Sequence, residues 1–248
     1  MKYLIPASCL LVCAYSPVSV AIDETESLRQ RSHSKPEFTS LSLSLSGRSG
    51  NSDSENVSLG AYHSRREGKH FGYVMATRDY AKSNGVESAD AAFLHLRYNR
   101  YFNQNNAIEV FVQSNLDDFR SLEARNLIGT AYRHEISQSQ AAGIGIFREW
   151  EEYLVSDDKQ KFSQTRINLY WVLAKDISKH ASITNTLYYQ PNVENTNDWR
   201  AFNQLGLRSK ITESLHMSFS LVWEYDSRPV LDVKSRDTSY QAGFEFEF

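Results

Sequence analysis

The sequence predicts an all-β fold, a transmembrane antiparallel β-barrel of about 12 strands. Apolar side chains recur at every second residue, polar breaks separate the alternating segments, and no segment is a long unbroken apolar run. Strict alternation indicates a strand with one apolar face. Most of the segments reach about 10 residues, the length of a tilted strand that crosses a bilayer, whereas a transmembrane helix needs about 20 apolar residues.

The alternating segments predict the position of each strand. We expect strands at approximately 37–47, 56–66, 70–80, 89–102, 107–117, 123–136, 141–154, 162–175, 181–190, 199–211, 215–226 and 238–248. The eleventh is the clearest, because every second residue from Leu215 to Tyr225 is apolar and only Val222 interrupts the polar set between them. Short and longer breaks alternate along the chain, as in barrels with turns at one end and loops at the other.

Other folds would also alternate. A soluble β-sandwich or a lipocalin-like barrel has one apolar face per strand, and a smaller barrel with a periplasmic extension would use fewer strands. Two features favour a membrane barrel of about 12 strands. The polar face carries many charges, and aromatic residues cluster near strand ends, as in the girdles at membrane interfaces.

The beginning of the chain differs from the rest. The predicted division is 1–21 as a signal peptide, 22–36 as a periplasmic arm and 37–248 as the barrel. The first segment has a lone Lys2, a short apolar run and a small residue, Ala21, at its end, which is the layout of a cleaved secretory signal. A membrane anchor is the alternative, but the apolar run is too short to span a bilayer and prolines interrupt it.

The arm has no alternating pattern. Its sequence, IDETESLRQRSHSKP, is polar and charged, and such composition favours a flexible segment. We therefore expect a flexible periplasmic arm, with an ordered plug inside the barrel as the alternative.

Charge and cysteine content exclude several functions. Cys9 and Cys13 lie within the predicted signal peptide, so the mature chain has no disulfide, thiol nucleophile or cysteine metal ligand. Removal of Lys2 leaves 26 basic and 30 acidic residues, a net charge of −4. This balance provides no basic surface for a nucleic acid.

Two stretches carry a family resemblance. SGRSGNSDSENVSLGA (46–61) and YYQPNVENTNDWRAFNQLGLRSKITESLHMSFSLVWEYDSRP (188–229) resemble the opening strand pair and the C-terminal strands of the salt-induced outer-membrane proteins, a family of unknown function. The resemblance covers roughly residues 38–248. It implies a barrel in the outer membrane of a Gram-negative bacterium. Its motifs are turns and strand ends, so it assigns no functional residue.

The last strand has an aromatic face and an acidic face. Its apolar face consists of Tyr240, Ala242, Phe244, Phe246 and Phe248. A barrel must close so that no edge remains unpaired in lipid, so we expect this strand to pair with the first and to turn its aromatic face to the lipid. Tyr240, Phe244, Phe246 and the terminal Phe248 also resemble the C-terminal signal that the barrel assembly machinery recognises.

The opposite faces of the strands supply the candidate site. Eleven charged residues are expected to line the lumen: Arg97, Glu109, Arg125, Arg133, Glu149, Glu151, Arg166, Arg200, Arg208, Glu224 and Glu245. Barrels of about 8 strands are filled by side chains, whereas barrels of 16 or more contain a wide pore. A barrel of intermediate size therefore allows two interpretations, a network of ion pairs that plugs the lumen and a narrow conducting pore of weak selectivity.

No motif indicates catalysis. The chain lacks a G-x-S-x-G sequence, a phosphate-binding loop and paired histidines at metal-binding spacing. We expect no enzyme activity, no cofactor and no metal.

The favoured function is a narrow passive channel, or an osmotic or salt-stress component of the envelope, for small solutes or ions. The alternative is a closed structural or surface-interaction barrel that acts through its extracellular loops. An outer-membrane enzyme, which would need a serine and a histidine in contact, is the third hypothesis. The expected surroundings are outer-membrane lipid, and the expected state is a monomer.

Overall fold

The structure is a computed structural model that describes residues 25–33, 35–48, 54–117, 122–155, 158–229 and 234–248. Its elements are α1 Glu26–Ser32, β1 Glu37–Arg48, β2 Ser54–Glu67, β3 His70–Ser83, β4 Val86–Tyr101, β5 Asn106–Asp117, β6 Leu122–Ser137, β7 Gln140–Val155, β8 Asp158–Asp176, β9 Ala181–Pro191, β10 Trp199–Lys210, β11 Leu215–Asp226 and β12 Arg236–Glu247. The predicted strands are confirmed, with ends that differ by a few residues. The predicted signal peptide lies outside the described residues.

Twelve antiparallel strands form one closed barrel. Each strand pairs with its neighbours in the chain, and β1 pairs with β12 to complete the ring. The predicted antiparallel barrel and its closure by the last strand are therefore confirmed. The closing seam is short, since its register runs only from Ser40 opposite Glu247 to Leu43 opposite Phe244. By comparison, β1 pairs with β2 along its whole length, from Glu37 to Arg48.

The two faces of the barrel wall differ in chemistry. Along β4, the side chains of Leu94, Leu96 and Tyr98 are exposed on the outside, whereas those of His95 and Arg97 are buried. The same period of two continues around the ring because successive side chains of a strand point to opposite faces. Among the described residues, no helix is long and apolar enough to cross a membrane.

One connection differs from the expected loop pattern. The sequence predicts a longer loop after the third strand, but β3 and β4 continue to Ser83 and Val86 and leave only Asn84 and Gly85 between them. Both residues have positive φ angles, 49° and 78°. Asn-Gly is the dipeptide that two-residue hairpin turns prefer, because both positions need a left-handed backbone. Strand pairing can therefore extend beyond the predicted ends.

The barrel encloses two clusters of buried apolar side chains. One cluster comprises Phe111, Leu127, Ala131, Phe147, Tyr170, Val172, Tyr188 and Phe202. The other comprises Phe38, Tyr62, Phe71, Tyr73, Tyr101 and Ala107, and Leu28 of α1 packs against it. Large side chains thus fill much of the interior, as expected for a barrel of modest size.

Residues 25–33 correct the expectation of a flexible arm. They contain a helix whose Thr25, Glu26, Arg29 and Ser32 side chains are fully buried. The polar composition suggested disorder because such a segment cannot bury apolar surface of its own. Here the partners of the polar groups are supplied by the charged interior of the barrel. Residues 22–24 and 34 of the expected arm lie outside the part of the chain that the structure describes.

Candidate lumen site

The helix α1 is anchored by a carboxylate between two arginines of the wall. Glu26 accepts a hydrogen bond of 2.8 Å from Nη1 of Arg97 on β4 and one of 2.7 Å from Nη1 of Arg133 on β6. Burial raises the pKa of Glu26, but the charges of Arg133, Arg29 and Arg97 outweigh this effect and lower the pKa to about 2. Glu26 is therefore ionised at neutral pH, and both contacts are charge-assisted.

Arg29 connects the same helix to three strands. Its Nη2 atom donates to Asn99 Oδ1 at 3.0 Å and to the Tyr101 hydroxyl at 2.8 Å. The guanidinium also lies 3.6 Å from the carboxylates of Glu109 and Glu135. Because Arg29 is buried, its charge needs these partners.

Both ends of α1 contact further wall residues. Thr25 accepts a hydrogen bond of 2.8 Å from the Tyr73 hydroxyl, and the hydroxyls of Ser32 and Tyr62 lie 2.9 Å apart. Arg31 lies 2.6 Å from carboxylate oxygens of both Glu245 and Glu247 on β12. Contacts to β2, β3 and β12 complement those to β4, β5 and β6. The helix therefore lies across the lumen and is not attached to one side only.

His33 follows α1 and is held by aromatic rings. Its ring centroid lies 6.3 Å from that of Phe71 and 5.8 Å from that of Tyr101, both with edge geometry. Burial lowers the pKa of His33 to about 4, and the charges of Arg29 and Arg66 act in the same direction. His33 is therefore neutral when α1 is docked at neutral pH.

A second charge network occupies the interior on β6 to β11. Glu149 on β7 is its centre, with distances of 2.7 Å to Arg125, 2.6 Å to Arg166 and 3.2 Å to Arg200. Glu151 lies 2.7 Å from Arg200 and 3.1 Å from Arg125. The arginines also reach loop and strand-end carboxylates, Asp198 at 2.9 Å from Arg166 and Asp226 at 2.9 Å from Arg200. Buried charges of opposite sign are thus matched within hydrogen-bonding distance.

The structure places the eleven candidate lumen residues as follows. Arg97, Glu109 and Arg133 join the α1 network; Arg125, Glu149, Glu151, Arg166 and Arg200 form the second network; Arg208 and Glu245 pair at 3.3 Å beside Arg31; and Glu224 is buried on β11. The sequence could not divide the eleven residues into these groups. Alternation assigns each residue to a face of its strand, but it does not give the residue's position along the barrel axis or its partner.

Sequence reasoning also missed Glu26 and Arg29, which complete the first network. A signal for them was present. The stretch from Thr25 to Ser32 has an acidic residue in its first turn and basic residues in its last, which is a helix signature, and Pro36 follows shortly after. Seven helical residues are too few for a clear repeat, so the pattern did not stand out against a polar background.

The rest of the interior is lined by small polar residues. On the six strands β9 to β12, β1 and β2, the inward positions at mid-barrel are Ser42, Ser44, Ser58, Gly60, Thr184, Gly206, Ser218, Ser220, Gln241 and Gly243. The side chains of Ser42 and Gln241 are exposed although they face inward. Space for water therefore remains beside these residues, whereas aromatic and arginine side chains fill the interior at other levels, including Tyr188 on β9 and Phe202 and Arg200 on β10.

Two histidines of the wall have different surroundings. The Nδ1 atom of His63 lies 3.0 Å from the Thr39 hydroxyl at an exposed position. His95 is stacked between Tyr73 and Phe111, at centroid distances of 5.6 and 6.1 Å, and lies 3.0 Å from the Gln113 side-chain oxygen. Within the described ranges, no group of three or more His, Asp or Glu side chains is arranged to hold a metal ion.

Comparisons with known proteins give a fold and a family. The chain is similar to the NanC porin, with a TM-score of 0.51 and 12% sequence identity over 84% of this chain and 98% of that chain. It is also similar to the KdgM porin (TM-score 0.47, 12% identity, 86% and 99% of the two chains) and to the translocator domain of the autotransporter NalP from Neisseria meningitidis (TM-score 0.46, 9% identity, 86% and 88%). At such identities the likeness to NanC shows the fold alone.

Among curated proteins, none matches this chain in sequence. The model of a family described as "Protein of unknown function, DUF481" matches residues 41–248, which include the whole barrel from the middle of β1. This match confirms the resemblance to an outer-membrane barrel family of unknown function, and the chain belongs to the DUF481 family.

Proposed function

We propose that this protein is a monomeric outer-membrane β-barrel that forms a narrow passive channel for small solutes or ions. In this proposal α1 and the charge networks restrict the lumen, and the polar side formed by β9 to β2 provides the path. Salt induction and a role in osmotic stress remain predictions from the family resemblance.

The outer surface supports a location in lipid. Apolar side chains dominate it, and aromatic rings gather where β9, β10 and β11 meet the longer loops. The Trp199 ring lies 5.6 Å from that of Tyr189 and 4.6 Å from that of Tyr225. Such aromatic rows are typical of the interface between lipid and water.

The C-terminal strand supports recognition by the barrel assembly machinery. The side chains of Tyr240, Phe244, Phe246 and Phe248 are exposed on the outside, and Glu245 between them is buried inside. In this proposal the outward aromatic set serves both as lipid contact and as an assembly signal. A cleaved signal peptide would deliver the chain to the periplasm for this step.

The observation that carries the channel proposal is the exposure of Ser42 and Gln241. Both residues alternate with lipid-facing neighbours and so face the interior, yet both remain accessible to solvent. Side chains of Ser, Thr, Gly and Gln carry no charge, so a path beside them would discriminate weakly between anions and cations.

A closed structural or surface-interaction barrel is the second candidate. It is favoured by the burial of charged side chains inside the lumen, where they form ion pairs and are shielded from solvent. These are Glu26, Arg29, Arg125, Arg133 and Arg166. In that case the outer loops would carry the function. The described part of the β9–β10 loop is polar and largely exposed.

Conductance of the mature chain, residues 22–248, in a planar bilayer tests the proposal. Discrete, reproducible steps are expected. Ser220→Trp should reduce them because Ser220 faces the polar path opposite Gln241. Its matched control is Leu221→Trp, one residue further along β11 and exposed to the outside, which should leave the steps unchanged. A silent bilayer, with folding verified by heat-modifiable gel mobility, would favour the closed barrel, and equal effects of the two variants would contradict the assigned path.

A further inference from the structure

The contact of Glu26 with the wall has the form of a ligand in a binding site. We infer that Arg97 and Arg133 form a carboxylate-binding site in the lumen, that Glu26 occupies it as an internal ligand, and that a small carboxylate solute displaces Glu26 and releases α1. The inference that the site binds a carboxylate does not depend on the proposed channel function. The expected consequence, a wider path for solutes through the lumen, rests on that function.

The geometry divides one carboxylate between two guanidinium groups. Arg97 contacts Oε1 of Glu26 at 2.8 Å, and Arg133 contacts Oε2 at 2.7 Å. The two arginines come from β4 and β6 and remain in the wall when α1 leaves. A pair of charge-assisted contacts, one to each oxygen, is the arrangement that recognises a carboxylate.

Wall residues hold both arginines in position without α1. Arg97 donates from Nε to His95 at 3.3 Å, and its guanidinium lies 5.1 Å from the centre of the Phe111 ring. Arg133 donates from Nε to Glu135 at 2.8 Å, and its guanidinium lies 5.7 Å from the centre of the Tyr170 ring. Each arginine therefore turns its Nη1 atom towards the same point, and the site is preorganised.

Removal of α1 would leave both Nη1 atoms without their shortest carboxylate contact. The remaining acidic contact of Arg97 Nη1 is Glu109 at 3.5 Å, and the short contact of Arg133 to Glu135 uses Nε. A buried charge that loses its partner is costly. A carboxylate from solution would replace Glu26 and reduce that cost, so it stabilises the released state.

The helix itself is suited to release. A helix of 7 residues is too short to be stable alone in water, where about 12–15 residues are needed. Its apolar anchoring is small, since Leu28 is the residue of α1 that packs against the aromatic cluster. Docking of α1 therefore depends on polar contacts, and those of Glu26 are among the shortest. A carboxylate that competes for the same arginines weakens docking.

The test measures release of α1 through a single cysteine. The predicted mature chain lacks cysteine, so Ser32→Cys introduces one thiol at a fully buried helix position. Its rate of maleimide labelling is compared in sodium glucuronate, in sodium chloride of equal ionic strength, and in chloride with glucose added. Glucuronate at twice its dissociation constant should raise the labelling rate about threefold, as expected for simple competition, whereas chloride and glucose should not.

Variants assign the effect to the arginines. Arg97→Gln with Arg133→Gln should abolish the response to glucuronate, whereas Arg200→Gln, inside the same barrel but in the second network with Glu149 and Glu151, should keep it. If the double variant fails to fold, Arg97→Lys replaces it and should weaken the response, because a lysine cannot present the same planar donors. A response of equal size in chloride, or one that persists without the arginines, would overturn the inference.

Conductance of the same samples separates the two proposals. If glucuronate raises both labelling and conductance, both stand. If labelling responds while every bilayer remains silent, the carboxylate site stands and the channel proposal fails. If the chain conducts but labelling does not respond, the channel stands and the carboxylate site fails.

Discussion

Substitution of two neighbouring residues on β11 tests which face of the wall meets lipid. Phe219 is 39% exposed on the outside, opposite Leu207 on β10 and Ala242 on β12. Ser218 points into the lumen and lies opposite Arg208. Replacement of each by Glu adds the same charge, one residue apart, to opposite faces of one strand.

The expected costs differ because the surroundings differ. A charge on the lipid face near the bilayer midplane lowers barrel stability by about 2–4 kcal/mol for Arg or Lys and by less for Glu, and the cost falls towards the interfaces. Phe219→Glu should therefore destabilise by up to about 2–4 kcal/mol. Ser218→Glu should cost far less, because its carboxylate can reach water and the charge of Arg208.

Urea unfolding of the refolded barrel in lipid vesicles, followed by tryptophan fluorescence, measures both free energies. The slope of free energy against urea should be the same for the two variants, so that midpoints can be compared directly. Equal losses of stability, or a larger loss for Ser218→Glu, would refute the assignment of the two faces and the argument for lipid contact with it.

Three further outcomes are expected. Glu149→Gln should lower the free energy of unfolding by about 3–5 kcal/mol, because buried arginines lose their shared carboxylate, and urea titration measures the loss. Acidification from pH 6.5 towards 4 should raise the maleimide labelling rate of Ser32→Cys relative to that of the urea-unfolded chain at the same pH, a ratio that cancels the loss of thiolate. The reason is that His33 charges more easily when α1 is released; its pKa is about 4 when docked and 6.5 by reference, so docking stability is lost as pH falls through this window. Phe248→Ser should reduce the fraction of chain assembled in outer membranes of cells, measured by heat-modifiable mobility.

Each of these outcomes has its own control. Glu152→Gln changes a surface carboxylate of the same strand, paired with Lys159 and Lys161, and should alter stability far less than Glu149→Gln. His33→Gln should remove most of the acceleration between pH 6.5 and 4, and an unchanged profile would exclude His33 as its cause. Glu247→Gln near the chain end, which faces inward, should not reduce assembly as Phe248→Ser does.

Much of the barrel follows from the sequence because it depends on local alternation. Apolar and polar residues alternate along β11. This alternation determines which side chains share a face, regardless of where the strand lies in the barrel. The same reasoning placed Arg97 and Glu149 on the interior face. It made the third connection too long, because the Asn84-Gly85 turn allows β3 to continue to Ser83 and β4 to begin at Val86. It also treated the segment before β1 as flexible.

What the sequence by itself determined is the fold class, the number of strands and the face of each charged residue, because a period of two is a property of neighbouring residues. Only the tertiary structure decided how the lumen is filled. The wall partners of Glu26, Arg97 and Arg133, lie on strands that begin more than 50 residues later in the chain, and no local pattern encodes such a contact. Curvature of the closed sheet brings Arg97 and Arg133 to one point. The burial of their charges there allows a polar segment to fold inside the lumen.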